Sequence, residues 1–196
     1  MRVWILLALL WGLAACGEKS TLVATQDSIA AVAYRDDGPA KLTVITMVSN
    51  ETGAGGHSAL MINGPQRVLF DPAGSFRTKN VPEKGDVLYG ITPAVYNIYK
   101  SSHSRRTHHI VTQEIEVTAE QAQIAYQLAI RNGPVPGAFC ARATSNILSQ
   151  VPGFEWVKQT YFPVKFQKQI ETYPGVKTEK YYEDDDGNVV DALALL

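Results

Sequence analysis

Gly137-Ala138-Phe139-Cys140-Ala141-Arg142-Ala143-Thr144-Ser145-Asn146-Ile147-Leu148 decides how the chain reads. Gly133, Pro134, Pro136 and Gly137 break the backbone just ahead of it, and a helical pattern then begins near Cys140. Ala143, Ile147 and Leu148 share one face of that helix. The pattern therefore places a thiol at a helix N-terminus. Unpaired N–H groups and the helix dipole there favour the thiolate over the thiol. Cys140 reads as a nucleophile, and the rest of the chain can be searched for what would activate it.

The first residues supply context. Met1-Arg2 is followed by an apolar run over residues 3–13, long enough for a secretory signal and too short for a permanent membrane span. The run ends Leu13-Ala14-Ala15-Cys16-Gly17. This resembles the bacterial lipobox, which implies cleavage after residue 15 and a diacylglycerol on Cys16. Gly17, not Asp, follows the cysteine, which resembles outer-membrane sorting in enteric bacteria. The expected location is the cell envelope, facing the periplasm, with the membrane as partner through Cys16.

The chain has two cysteines, Cys16 and Cys140. With Cys16 lipidated, Cys140 has no disulfide partner in an oxidising compartment. It is then either a reactive thiol or a buried, inert one. Basic and acidic residues balance at 18 and 19, so nothing points to nucleic acid. The chain left after the signal is long enough for one cored domain. The expected division is a signal over residues 1–15, a lipidated tether over 16–40, a catalytic domain over 41–175 and an acidic tail over 176–196. The tether holds an apolar patch over residues 29–34, read as a short helix or edge strand.

Residues 41–48 read as a buried strand. The glycine-rich loop over residues 49–56 lacks the Lys-Ser/Thr pair of a phosphate loop. Residues 57–62 and 66–71 read as a hairpin around Asn63-Gly64-Pro65. Placing Leu60, Ile62, Val68 and Phe70 on one face pairs Ile62 with Gln66 and sets His57 directly opposite Asp71. A strand is expected over 86–91, a short helix or lid over 93–104, and a strand over 108–117 with Val111, Ile115 and Val117 inward. Thr118 and Gln121 form a capping box for a helix over 119–132. The Cys140 helix should end near Pro152-Gly153, with a last helix over 163–173 and an exposed acidic segment over 179–188.

A nucleophilic cysteine needs a base, and the base needs an orienting group. His57 begins a strand after a flexible loop, and Asp71 lies across the hairpin from it. His103, His108 and His109 compete for the role. His108 and His109, adjacent in a strand, point to opposite faces. No zinc-ligand spacing joins His57, His103 and either of them, so no metal and no cofactor is expected. One oxyanion donor would be the backbone N–H of Cys140.

Gly56-His57-Ser58-Ala59-Leu60-Met61-Ile62 and Phe139-Cys140 together resemble the circularly permuted branch of the NlpC-type papain-like superfamily. That branch includes the lecithin:retinol acyltransferase-like proteins, and in it the histidine strand precedes the cysteine helix. The resemblance covers about residues 41–150. It implies His57 as base, Cys140 as nucleophile and Asp71 as orienting group. Ala141-Arg142 departs from the Ser-Glu or Glu-His pair often found after the cysteine.

The expected fold is α+β, an antiparallel sheet with a nucleophile-bearing helix packed on it. The expected activity is thiol hydrolysis of an amide carbonyl through an acyl-cysteine. Peptidoglycan stem peptides are the amides available in the envelope. Acyl-lipid hydrolysis or transfer is the alternative chemistry. A non-catalytic envelope lipoprotein, binding through the same fold with an inert Cys140, is the alternative from another class.

Overall fold

The computed structural model describes residues 23–184, and lipidation at Cys16 lies outside them. The elements in chain order are α1 (Gln26–Ala31), β1 (Lys41–Ser49), β2 (Gly55–Asn63), β3 (Arg67–Phe70), β4 (Glu83–Lys84), β5 (Val87–Leu88) and α2 (Pro93–His103). There follow β6 (His108–Glu116), α3 (Ala119–Asn132), α4 (Cys140–Ser149), α5 (Pro163–Ile170) and β7 (Lys177–Tyr181). The fold is α+β, with one seven-stranded antiparallel sheet ordered β4-β5-β3-β2-β1-β6-β7.

Side-chain alternation gives the sheet two faces. Leu42, Val44, Leu60, Ile62, Val68, Phe70 and Ile115 point to one, under Ala125 and Ala129 of α3, Ile147 and Leu148 of α4, and Phe166 and Ile170 of α5. The other face is buried too. Ile45, Ala59, Met61, Leu69, Leu88 and Ile110 pack there with Phe76, Ile91 and Tyr99 of α2. The 93–104 segment is thus a helix that roofs the face bearing His57 and Asp71.

Helix starts follow the sequence signals. Thr25, Thr92 and Thr118 cap α1, α2 and α3 with their side-chain oxygens, and Thr118 and Gln121 complete the capping box. α4 has no capping side chain and no acidic residue in its first turn.

Four readings are corrected. The hairpin slides by two residues: Asn63 pairs with Arg67 and Leu60 with Phe70, so the loop is Gly64-Pro65-Gln66. Asn63 stays in the strand because its side chain holds the incoming segment, accepting from the Asp36 N–H (3.3 Å) and donating to the Pro39 carbonyl (3.2 Å). Only Val87 and Leu88 of the expected 86–91 strand pair, in a tight hairpin with β4. Its central residues Gly85 (φ 61°) and Asp86 (φ 62°) have the signs of a type I′ turn. Part of the acidic segment is β7, which pairs along β6 as an exposed edge rich in charge. The described part of the expected tether packs on the domain: Ile29 joins the core, and the Tyr34 carbonyl accepts from the Arg67 N–H (2.6 Å).

Candidate active site

Cys140 is the first residue of α4, and α4 packs against β2 close to where that strand begins. With no capping side chain, the N–H groups of the first turn are left for other acceptors. The His57 ring and the backbone N–H groups of Ser58 and Ala141 lie close enough to the Cys140 sulfur to favour its thiolate. As the first helical residue, Cys140 has no intrahelical acceptor for its own N–H, which stays free to serve an oxyanion.

His57 stands in β2, and its Nε2 lies 2.6 Å from Asp71 Oδ1. That contact occupies one ring nitrogen and leaves Nδ1 for the thiol. The two residues do not sit opposite each other. Continuing the ladder past Leu60 and Phe70 places Asp71 across from Ala59, so it reaches His57 on the diagonal.

Asp71 is buried at 4% exposure, and Tyr99, fully buried in α2, donates its hydroxyl to the same oxygen at 2.8 Å. The chain turns immediately after it. The Gly74 N–H donates to the Asp71 carbonyl (2.9 Å), with Pro72 and Ala73 (φ 57°) at the corners, as in a type II turn. The carboxylate folds over Gly74 so closely that a Cβ there would lie 1.7 Å from Oδ2.

Charge follows from these contacts. Burial disfavours the His57 imidazolium, but the adjacent Asp71 charge and hydrogen bond, with the thiolate of Cys140, raise its pKa to about 10. Burial would likewise raise Asp71, and the His57 cation and its hydrogen bond hold it below the usual carboxylate range, with His103 and Tyr99 adding to this. Burial also pushes the Cys140 thiol up. The hydrogen bond and charge of His57 and the two backbone N–H groups outweigh this and bring it below an ordinary thiol. The site is built for a thiolate–imidazolium pair beside a carboxylate.

Two supports were not visible as such in the sequence. His103 stacks on His57 at 5.9 Å between ring centroids, and its Nδ1 lies 2.8 Å from the Tyr99 carbonyl. A carbonyl only accepts, so the proton sits on Nδ1. Burial lowers the pKa of this ring and the His57 charge acts in the same sense, against the opposing pull of Asp71 and the Tyr99 carbonyl. Asp86 is the second support. Its Oδ2 accepts from the backbone N–H of Ala73 (3.1 Å) and of Val135 (2.7 Å), and its carbonyl accepts from the Asp71 N–H (2.8 Å). One buried carboxylate thus ties the turn after Asp71 to the segment leading into Cys140. The non-glycine residues with positive φ among the described residues are Ala73, Asp86 and Ala138, and all belong to this scaffold.

His109 lies apart from this site, and His108 borders the cavity beside His57. His109 bonds Asn50 (2.6 Å) and stacks on Tyr182, and His108 contacts Thr107 (2.9 Å). No group of metal-binding residues occurs among the described residues. Beside His57 a cavity of about 390 Å³ opens, lined by Gly56, Ala73, Gly74, Ser75 and His103 among others. It is large enough for part of a substrate.

Compared with known proteins, the chain matches no family model, no curated protein and no solved structure.

Proposed function

We propose that the protein is a lipid-tethered thiol hydrolase of permuted papain-like build, cleaving an amide carbonyl through an acyl-cysteine at Cys140. The observation that carries this is the juxtaposition of Cys140, His57 and Asp71, in which the carboxylate takes His57 Nε2 and leaves Nδ1 for the thiol. Burying three ionisable groups together has no benefit for a passive core cysteine, and each contact lowers the cost of the thiolate.

The Cys140 thiolate attacks the amide carbonyl, and the oxyanion is met by the Cys140 N–H. The imidazolium of His57 gives its proton to the departing nitrogen as the C–N bond breaks, leaving an acyl-thioester and a free amine. Neutral His57 then takes a proton from water as that water attacks the thioester, and returns it to the sulfur as the acid leaves. Asp71 holds the ring orientation and stabilises its charged form throughout. A diacylglycerol on Cys16 places this chemistry in the envelope, where peptidoglycan stem peptides are the amide substrates at hand.

Acid-quenched mass spectrometry on the protein incubated with stem peptides and simple acyl amides tests the reading. An acyl adduct on Cys140, absent in Cys140→Ser and stripped by hydroxylamine, is the expected result. No adduct from any amide, with the thiol also inert to alkylation, would overturn it.

A further inference from the structure

We propose that the end of the molecule carrying the α4 N-terminus rests on the bilayer that holds the Cys16 lipid, with Tyr161 and Phe162 set into its interface. This deepens the tethered reading given above and rests on it.

Tyr161 and Phe162 are 53% and 58% exposed, neighbours in sequence just before α5. Tyr161 meets Phe139, the residue before Cys140, edge to face at 5.5 Å. Each exposed ring carries a cation. The Arg142 guanidinium lies 5.6 Å from the Tyr161 centroid, and Lys165 Nζ lies 4.7 Å from that of Phe162. Neither α4 nor α5 has an acidic residue in its first turn. Large aromatic rings held beneath basic heads suit a bilayer interface, where the rings sit at headgroup depth and the cations meet phosphate.

The path of the chain points to the same end. Val23, 63% exposed, shares a cavity with Ala73, Asp86, Pro134 and Val135. Pro134 and Val135 also border the cavity lined by Arg142, Asn146 and Gln159. The chain therefore enters the domain on the side where Asp71 and Cys140 lie. Seven residue steps separate Cys16 from Val23, a reach of about 25 Å at full extension. A domain of this size has a radius of gyration of roughly 15 Å and is about 40 Å across. A lipid on Cys16 can bring the Val23 end to the membrane and cannot bring the opposite end there. Trp156, bonded to Gly153, follows the other terminus of α4, one helix length (~15 Å) from the Cys140 end.

Tryptophan quenching tests this on the lipid-bearing protein. Phe162→Trp and wild type are reconstituted in phosphatidylcholine–phosphatidylglycerol vesicles whose acyl chains carry bromine near the headgroup. The lipid on Cys16 is verified by the mass of the N-terminal peptide, so a failed anchor is read separately. The difference in emission between the two proteins reports position 162, and native Trp156 is the internal control. Bromine is expected to quench position 162 at least twofold more than Trp156. Equal or absent quenching in anchored protein would overturn the proposal. So would a position-162 signal that ignores bromine and responds only to soluble peptidoglycan fragments.

Discussion

Tyr99 and His57 share one oxygen of Asp71: the Tyr99 hydroxyl donates to Oδ1 at 2.8 Å, and His57 Nε2 lies 2.6 Å from the same atom. The helix roofing the second sheet face thereby fixes the carboxylate that orients the base. Tyr99→Phe keeps the ring packing on Phe76 and His103 and removes one charge-assisted bond. The expected loss is about 1.5–3 kcal/mol in urea unfolding at neutral pH. No loss would mean that Asp71 is held without α2.

Gly74 leaves no room for a side chain beneath the Asp71 carboxylate. Gly74→Ala must push Oδ2 aside and pull Oδ1 off His57. Its alkylation rate at Cys140 near pH 6 should fall to that of Asp71→Asn. A rate equal to wild type would show that the thiol does not depend on this carboxylate.

Asp86 accepts two backbone N–H groups from separate segments. In Asp86→Ala both are left unpaired, and about 3 kcal/mol of stability should be lost. Asp86→Asn keeps an acceptor oxygen and should lose roughly half as much. Both variants should slow Cys140 alkylation, because the Asp71 turn and the approach to α4 are no longer held together.

Stability against pH separates the ion pair from a neutral site. The folded pKa of His57 lies near 10 against 6.5 unfolded, so its contribution is complete below pH 6.5 and lost as pH rises towards 10. Cys140 is lowered from 9.0, so its contribution grows with pH up to that value. Between pH 6.5 and 9 the two act in opposite directions, so wild-type stability should change less with pH than the histidine alone would dictate. In Cys140→Ala the histidine acts alone, and urea unfolding should show stability falling with pH by up to about 1.4 kcal/mol per unit. Parallel curves for the two proteins would mean that Cys140 carries a proton in the fold.

Much of this arrangement is legible in the sequence. Glycine and proline before Cys140 and Ile147-Leu148 on one face locate α4, and Thr118 with Gln121 marks the start of α3. The apolar alternation of β2 and β3 puts His57 and Asp71 on the same face. It cannot fix their register, because a two-residue slide keeps every side chain on its own face. Asn63 decides the register through contacts with Asp36 and Pro39, distant in sequence. β7 carries no apolar period, as suits an exposed edge, so pattern reading passes over it. Tyr99 and Asp86 look like a core aromatic and a turn residue, and their roles arise only when α2 and the β4–β5 turn fold back on Asp71.

The pH dependence of iodoacetamide alkylation, read at Cys140 by peptide mass mapping in wild type and His57→Ala, tests the central claim most directly. At pH 5.5 an ordinary thiol is only about one part in a thousand thiolate. Wild-type Cys140 should label quickly there, and His57→Ala should be slower by about tenfold or more. Slow labelling at pH 5.5, rising only above pH 8 and unchanged by the substitution, would contradict the thiolate–imidazolium pair and the hydrolase reading with it.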